Sequence, residues 1–136
     1  MSYELRDHTA DVAVAADGDT LGETFAAVAD GLTAAMCETV PDDGERFELT
    51  VTAESREALL FDFLDELIFQ RDVRSVLPAD HEASVESDGD KWTVTASARG
   101  VPFSSVHARE IKAVTYSEMD LSRTGDGWEA YVVFDV

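Results

Sequence analysis

Two stretches of this chain repeat their apolar residues at helical spacing, and most of what surrounds them alternates with the period of a strand. Leu21, Phe25, Val28, Leu32, Ala35 and Met36 fall on one helix face, and Leu60, Phe63, Leu64, Leu67 and Ile68 on another. Thr20-Leu21-Gly22-Glu23 has the form of a capping box, with Thr20 as the cap and Glu23 reaching back, and it predicts a first helix over residues 21–37. Ser55 can cap a second helix that runs through Arg71, with Asp62, Asp65 and Glu66 opposite its apolar stripe. Residues 3–6, 12–16, 47–53, 81–87, 92–98, 111–116 continuing through 119–123, and 128–136 read as strands. Pro41-Asp42-Asp43-Gly44, Asp88-Gly89-Asp90 and Thr124-Gly125-Asp126-Gly127 are turns, and a loop containing Pro78 is expected after the second helix. Strands outnumber helices, and two helices can cover only one face of such a sheet. The fold class is therefore α+β: one domain over residues 1–136, a mostly antiparallel or mixed β-sheet with two main helices on one face.

A chain of 136 residues can bury roughly 68% of the surface its unfolded form exposes, so a core needs no staples. The single Cys37 permits no internal disulfide, lies near the apolar stripe of the first helix, and is expected as a core thiol. No basic region followed by an apolar stretch opens the chain, so no secretory signal is expected. Its apolar runs fall far short of the roughly 20 residues that span a bilayer, so we expect no membrane partner and a cytoplasmic location. Acidic residues number 29 against 10 basic ones, a net charge of −19, and only Lys91 and Lys112 are lysines. The acids are spread along a chain that is still 45% hydrophobic, which argues for a folded protein and against disorder. A carboxylate-coated, lysine-poor surface suits molar salt, where the Debye length falls to about 3 Å and self-repulsion is screened. The same charge argues against direct high-affinity nucleic-acid binding, which depends on clustered Lys and Arg against phosphates.

Catalytic signatures are absent from the sequence: there is no nucleophile elbow, Walker loop, G-x-G-x-x-G or H-E-x-x-H. Paired acids such as Asp62 and Asp65 lack a partnering base and read as a solvated helix face. Asp135 and Val136 follow the alternating segment Ala130-Tyr131-Val132-Val133-Phe134, and Asp11 stands at the entry to Val12-Ala13-Val14-Ala15-Ala16. If those two segments meet in one sheet, Asp11, Asp135 and the terminal carboxylate of Val136 can form a hard-cation site. If they do not meet, both aspartates are ordinary solvated acids. Lys112 could pair with that group, with a phosphate or with a partner's carboxylate, or could simply lie on a strand face. His8 and His107 are candidate ligands or proton carriers, although a lone histidine near a strand end is more often structural; His81 carries no signal. Phe69 lies among Asp62, Asp65 and Glu66, where it would suit a protein contact. The following residues 73–77 are expected to cover it.

The chain resembles the archeases, small accessory proteins of RNA ligation. The resemblance rests on His8-Thr9-Ala10-Asp11-Val12, on Leu60 to Phe69, on Glu110-Ile111-Lys112-Ala113-Val114-Thr115-Tyr116, and on the closing Gly127-Trp128-Glu129-Ala130-Tyr131-Val132-Val133-Phe134-Asp135-Val136. These segments occur in the family's order and together extend over essentially the whole chain. Where relatives often carry histidine after Tyr116, this chain has Ser117. The resemblance implies a non-catalytic activator of an RtcB-type tRNA-splicing ligase. Such a protein promotes guanylylation and multiple turnover of the ligase and can broaden its nucleotide specificity. It also implies that Asp11, Asp135 and Val136 hold a divalent metal, calcium by default with magnesium or manganese as alternatives. Lys112 would be important beside that metal, and His8 is a further candidate. A second implication is a chaperone-like association with a tRNA methyltransferase, whose basic surface the acidic chain could mask. A stand-alone hydrolase using Asp11 and a metal is a third reading.

Overall fold

The alternating segments pair into two antiparallel sheets, and the two helices hold those sheets together. The structure, a computed structural model, describes the backbone of residues 1–8 and 11–136 and the side chains of residues 1–5 and 11–136. The strands are β1 (Ser2–His8), β2 (Asp11–Gly18), β3 (Glu45–Ala53), β4 (Val76–Asp88), β5 (Lys91–Pro102), β6 (Ala113–Thr124) and β7 (Gly127–Asp135); the helices are α1 (Leu21–Met36) and α2 (Arg56–Arg74). One sheet runs β1-β2-β7-β6 and the other β3-β5-β4. The α+β class, the antiparallel pairing and the two main helices agree with the sequence reading. What the structure adds is the division of the strands: α1 packs on β4 and β2, and α2 on β6 and β3, so each helix touches both sheets. Phe25 of α1 and Phe63 of α2 bring their rings within 5.8 Å in the shared core.

Local chemistry sets the element ends. The Glu23 N–H donates to Thr20 Oγ1 at 3.1 Å, and the Ala58 N–H donates to Ser55 Oγ at 3.1 Å, so both expected caps form. α2 continues to Arg74, three residues past the expected end, and stops at Ser75 in the left-handed region. Pro78 lies inside β4 and not in a loop. β4 is an edge strand, where a residue without an N–H costs no ladder bond on its open side, and its register with β5 shifts between Ala79 and Glu82. The longer helix also decides Phe69. Residues expected to fold back over it belong to α2 or lead into β4, and Phe69 is left 56% exposed with Val73 at 62%. Cys37 is buried as expected, its Sγ donating to the Thr39 carbonyl. His81, which the sequence did not mark, is buried against α1: Asp30 Oδ1 lies 2.8 Å from its Nδ1 and accepts its backbone N–H at 3.1 Å. No helix among the described residues is long and apolar enough to cross a membrane.

A candidate cation site at the joined strand ends

β7 lies between β2 and β6, and Val132, Val133 and Phe134 near its end are all buried. Burial on both faces pins its register. That register places Asp135 directly opposite Asp11, the first residue of β2, and opposite Ala113, the first residue of β6. The three positions make one row across three strands at one end of the sheet. Residues opposed in an antiparallel pair point to the same face, with Cβ atoms about 4.5–5.5 Å apart. The condition set by the sequence is met: the two segments meet, and their aspartates are neighbours. Asp11 is half-buried, Asp135 is exposed, and Val136 follows, half-buried.

Lys112 enters this end through its backbone. Its N–H donates to the Asp135 carbonyl at 2.8 Å. The residue before it, Ile111, is fully buried, and its carbonyl accepts from Arg71 Nη1 at 2.7 Å. Lys112 therefore follows a carbonyl anchored by α2 and is itself tied to β7, while its side chain is exposed. Arg71 is the residue the sequence reading passed over, treating it only as a helix end. The signal was present, because Arg71 follows Leu60, Leu64 and Leu67 at steps of three and four on the buried stripe.

The irregular segment leading to Lys112 borders a cleft of about 890 Å³ beside the row; Asp11, Cys37, Ser105, His107 and Arg109 are among its lining residues. The Arg109 N–H donates to the Met36 carbonyl at 2.6 Å, which ties that segment to the end of α1. His107 thus shares the cleft with Asp11, whereas His81 belongs to the contact between α1 and β4. The backbone of His8 pairs opposite Asp11; the side chain of His8 lies outside the described residues.

This donor set suits a hard cation. Two carboxylates side by side across a ladder repel, and a divalent ion that takes oxygen ligands in loose geometry relieves the repulsion. Among the described residues no three His, Cys, Asp or Glu side chains cluster as metal ligands.

Residues 3–136 match the model of the archease protein family. The chain belongs to that family. It is 34% identical to the archease of Methanosarcina acetivorans over 98% of this chain and 95% of the relative. Its fold is similar to the solution structure of Methanobacterium thermoautotrophicum protein 1598, with a TM-score of 0.87, 30% identity and 99% of each chain covered. It is also similar to the crystal structure of a Thermotoga maritima archease described as a possible chaperone. There the TM-score is 0.65 at 24% identity, over 98% of this chain and 96% of the other.

Proposed function

We propose that this chain is a non-catalytic activator of an RtcB-type RNA-splicing ligase, acting from the Asp11–Asp135 end. The observation that carries this reading is the register that opposes Asp11 to Asp135 while the Lys112 N–H is bonded to the Asp135 carbonyl. Asp11, Asp135 and the terminal carboxylate of Val136 would hold a divalent cation, calcium by its preference for oxygen, with magnesium or manganese as working alternatives. When bound, such a cation supplies the positive charge that stabilises a leaving pyrophosphate during nucleotidyl transfer. The chain's own residues solve a prior problem. A protein of net charge −19 repels a nucleotide triphosphate, and the carboxylates of Asp11 and Asp135 add to that charge locally. Lys112 adds a cation on an anchored backbone beside them, and His107 and Arg109 border the neighbouring cleft. Lys112 and Arg109 therefore offset part of the negative charge at this end.

The test is single-turnover guanylylation of a cognate ligase in high salt, with and without the chain. Acceleration by the wild type that is lost in Asp11→Ala, Lys112→Ala and a chain lacking residues 135–136 supports the reading. Equal rates with Asp11→Ala, Lys112→Ala and wild type would remove it. One observation favours a second reading, chaperone-like binding of a tRNA methyltransferase or another RNA-processing enzyme: Phe69, Val73 and Tyr116 are large apolar side chains left exposed. That role predicts suppression of client aggregation that survives loss of Asp135.

A further inference from the structure

The outer face of α2 combines features that an isolated helix surface rarely carries together. Asp62, Asp65, Glu66, Phe69 and Val73 are related by steps of three and four, so they form one continuous strip pointing away from the core. Phe69 is 56% and Val73 62% exposed, and Asp62 and Asp65 are exposed beside them. About two turns N-terminal to Phe69, Phe61 stacks on Tyr116 of the edge strand β6, with ring centroids 4.1 Å apart and planes 5° from parallel. Tyr116 keeps 58% of its surface open and adds an exposed aromatic ring beside the N-terminal half of α2. The three arginines of α2 are engaged elsewhere. Arg56 stacks over Trp92 and Trp128, Arg71 is buried on Ile111, and Arg74 lies over Phe47 while donating to Gln70.

We infer that this strip is a docking face for a partner protein that presents a small apolar pocket rimmed by arginine and lysine. The apolar side chains supply the contact, and the acids around Phe69 select the sign of the partner's rim. A second copy of this chain fits badly, because it would set Asp62 and Asp65 against their like. An anionic lipid surface is repelled for the same reason. The face lies on α2, whose opposite, buried side anchors Ile111 through Arg71. The inference rests on the proposed ligase partnership and names where on this chain the ligase is gripped.

The experiment measures binding and activation separately, with the cognate ligase as the probe. Binding is followed by sedimentation velocity, and guanylylation is followed as a function of chain concentration. Phe69→Ser with Val73→Ser, both at exposed sites, should leave the melting transition intact and weaken ligase binding by about tenfold or more, as loss of an interface anchor does. The concentration giving half-maximal activation should rise in step while the saturating rate stays the same. Asp62→Lys with Asp65→Lys should also weaken binding without lowering the saturating rate. Undiminished binding by the folded serine variant overturns the docking face and leaves the activator reading standing. Wild-type binding without acceleration removes the activator reading, and the binding arm still decides the face. Self-association of the wild type that Phe69→Ser abolishes would assign the strip to a second copy and overturn the inference.

Discussion

Replacing Arg71 with methionine isolates what one buried guanidinium contributes to the placement of Lys112. Arg71 is 7% exposed, and its Nη1 donates to Ile111, a residue with no exposed surface, at 2.7 Å. Methionine keeps most of the stem's volume, so cavity and overpacking terms stay small. Removing the donor orphans a buried carbonyl, which costs about 1–3 kcal/mol. The ion pair between Arg71 and Asp72 at 3.0 Å adds little, because the Asp72 side chain is 64% exposed. Relief of desolvation works in the other direction. That relief is limited here, because Arg71 and Asp72 border a cleft of about 380 Å³ and the guanidinium is not sealed in a dry core. The orphaned carbonyl therefore dominates, and Arg71→Met should destabilise by about 1–3 kcal/mol. Urea unfolding should show a lower midpoint at an unchanged slope. Native-state hydrogen exchange should show faster exchange at the Lys112 amide, whose bond to Asp135 loses its upstream anchor. A stability change under about 0.5 kcal/mol, the range of an unremarkable surface substitution, with Lys112 exchange unaltered, would refute the reasoning.

Asp30→Ala removes both bonds that hold His81, whose Nε2 already lacks a hydrogen-bond partner among the described residues, and should cost about 2–4 kcal/mol in denaturant unfolding. A loss below about 0.5 kcal/mol would mean that the pair contributes no net stability. Phe69→Ser should change stability by no more than about 0.5 kcal/mol by the same assay, since the ring is mostly in solvent. With a net charge of −19, the chain should melt at a higher temperature in about 1 M salt than in dilute buffer, as screening relieves self-repulsion. A melting temperature flat across that range would contradict adaptation to salt.

What could be read from the sequence divides along the distance between interacting residues. Both helix caps and both buried stripes are local patterns, and Thr20, Ser55 and the leucines of α2 stand where they were expected. The split into two sheets was not legible, because β3 and β6 alternate alike and only long-range pairing shows that they belong to different sheets. Pro78 was read as loop because proline interrupts a ladder, yet an edge strand tolerates it. Phe69 was expected under a cover that the longer α2 does not provide. For the candidate site, the carboxylates of Asp11 and Asp135 were visible, but their meeting depends on register, and register is fixed by burial of β7 between two neighbours. Arg71 followed the helical period onto the buried stripe, and its charge hid it. His81 had no local signal at all, since its partner Asp30 lies on another element.

The most direct test of the account is a calorimetric calcium titration of the wild type, Asp11→Asn and Asp135→Asn. Asparagine keeps the shape and the strand pairing and removes one carboxylate at a time. The account predicts a single site in the wild type and weaker binding in each variant, because both members of the Asp11–Asp135 row hold the same ion. Wild-type affinity in either variant, or no binding by the folded wild type, would contradict the claim that the joined strand ends form a cation site.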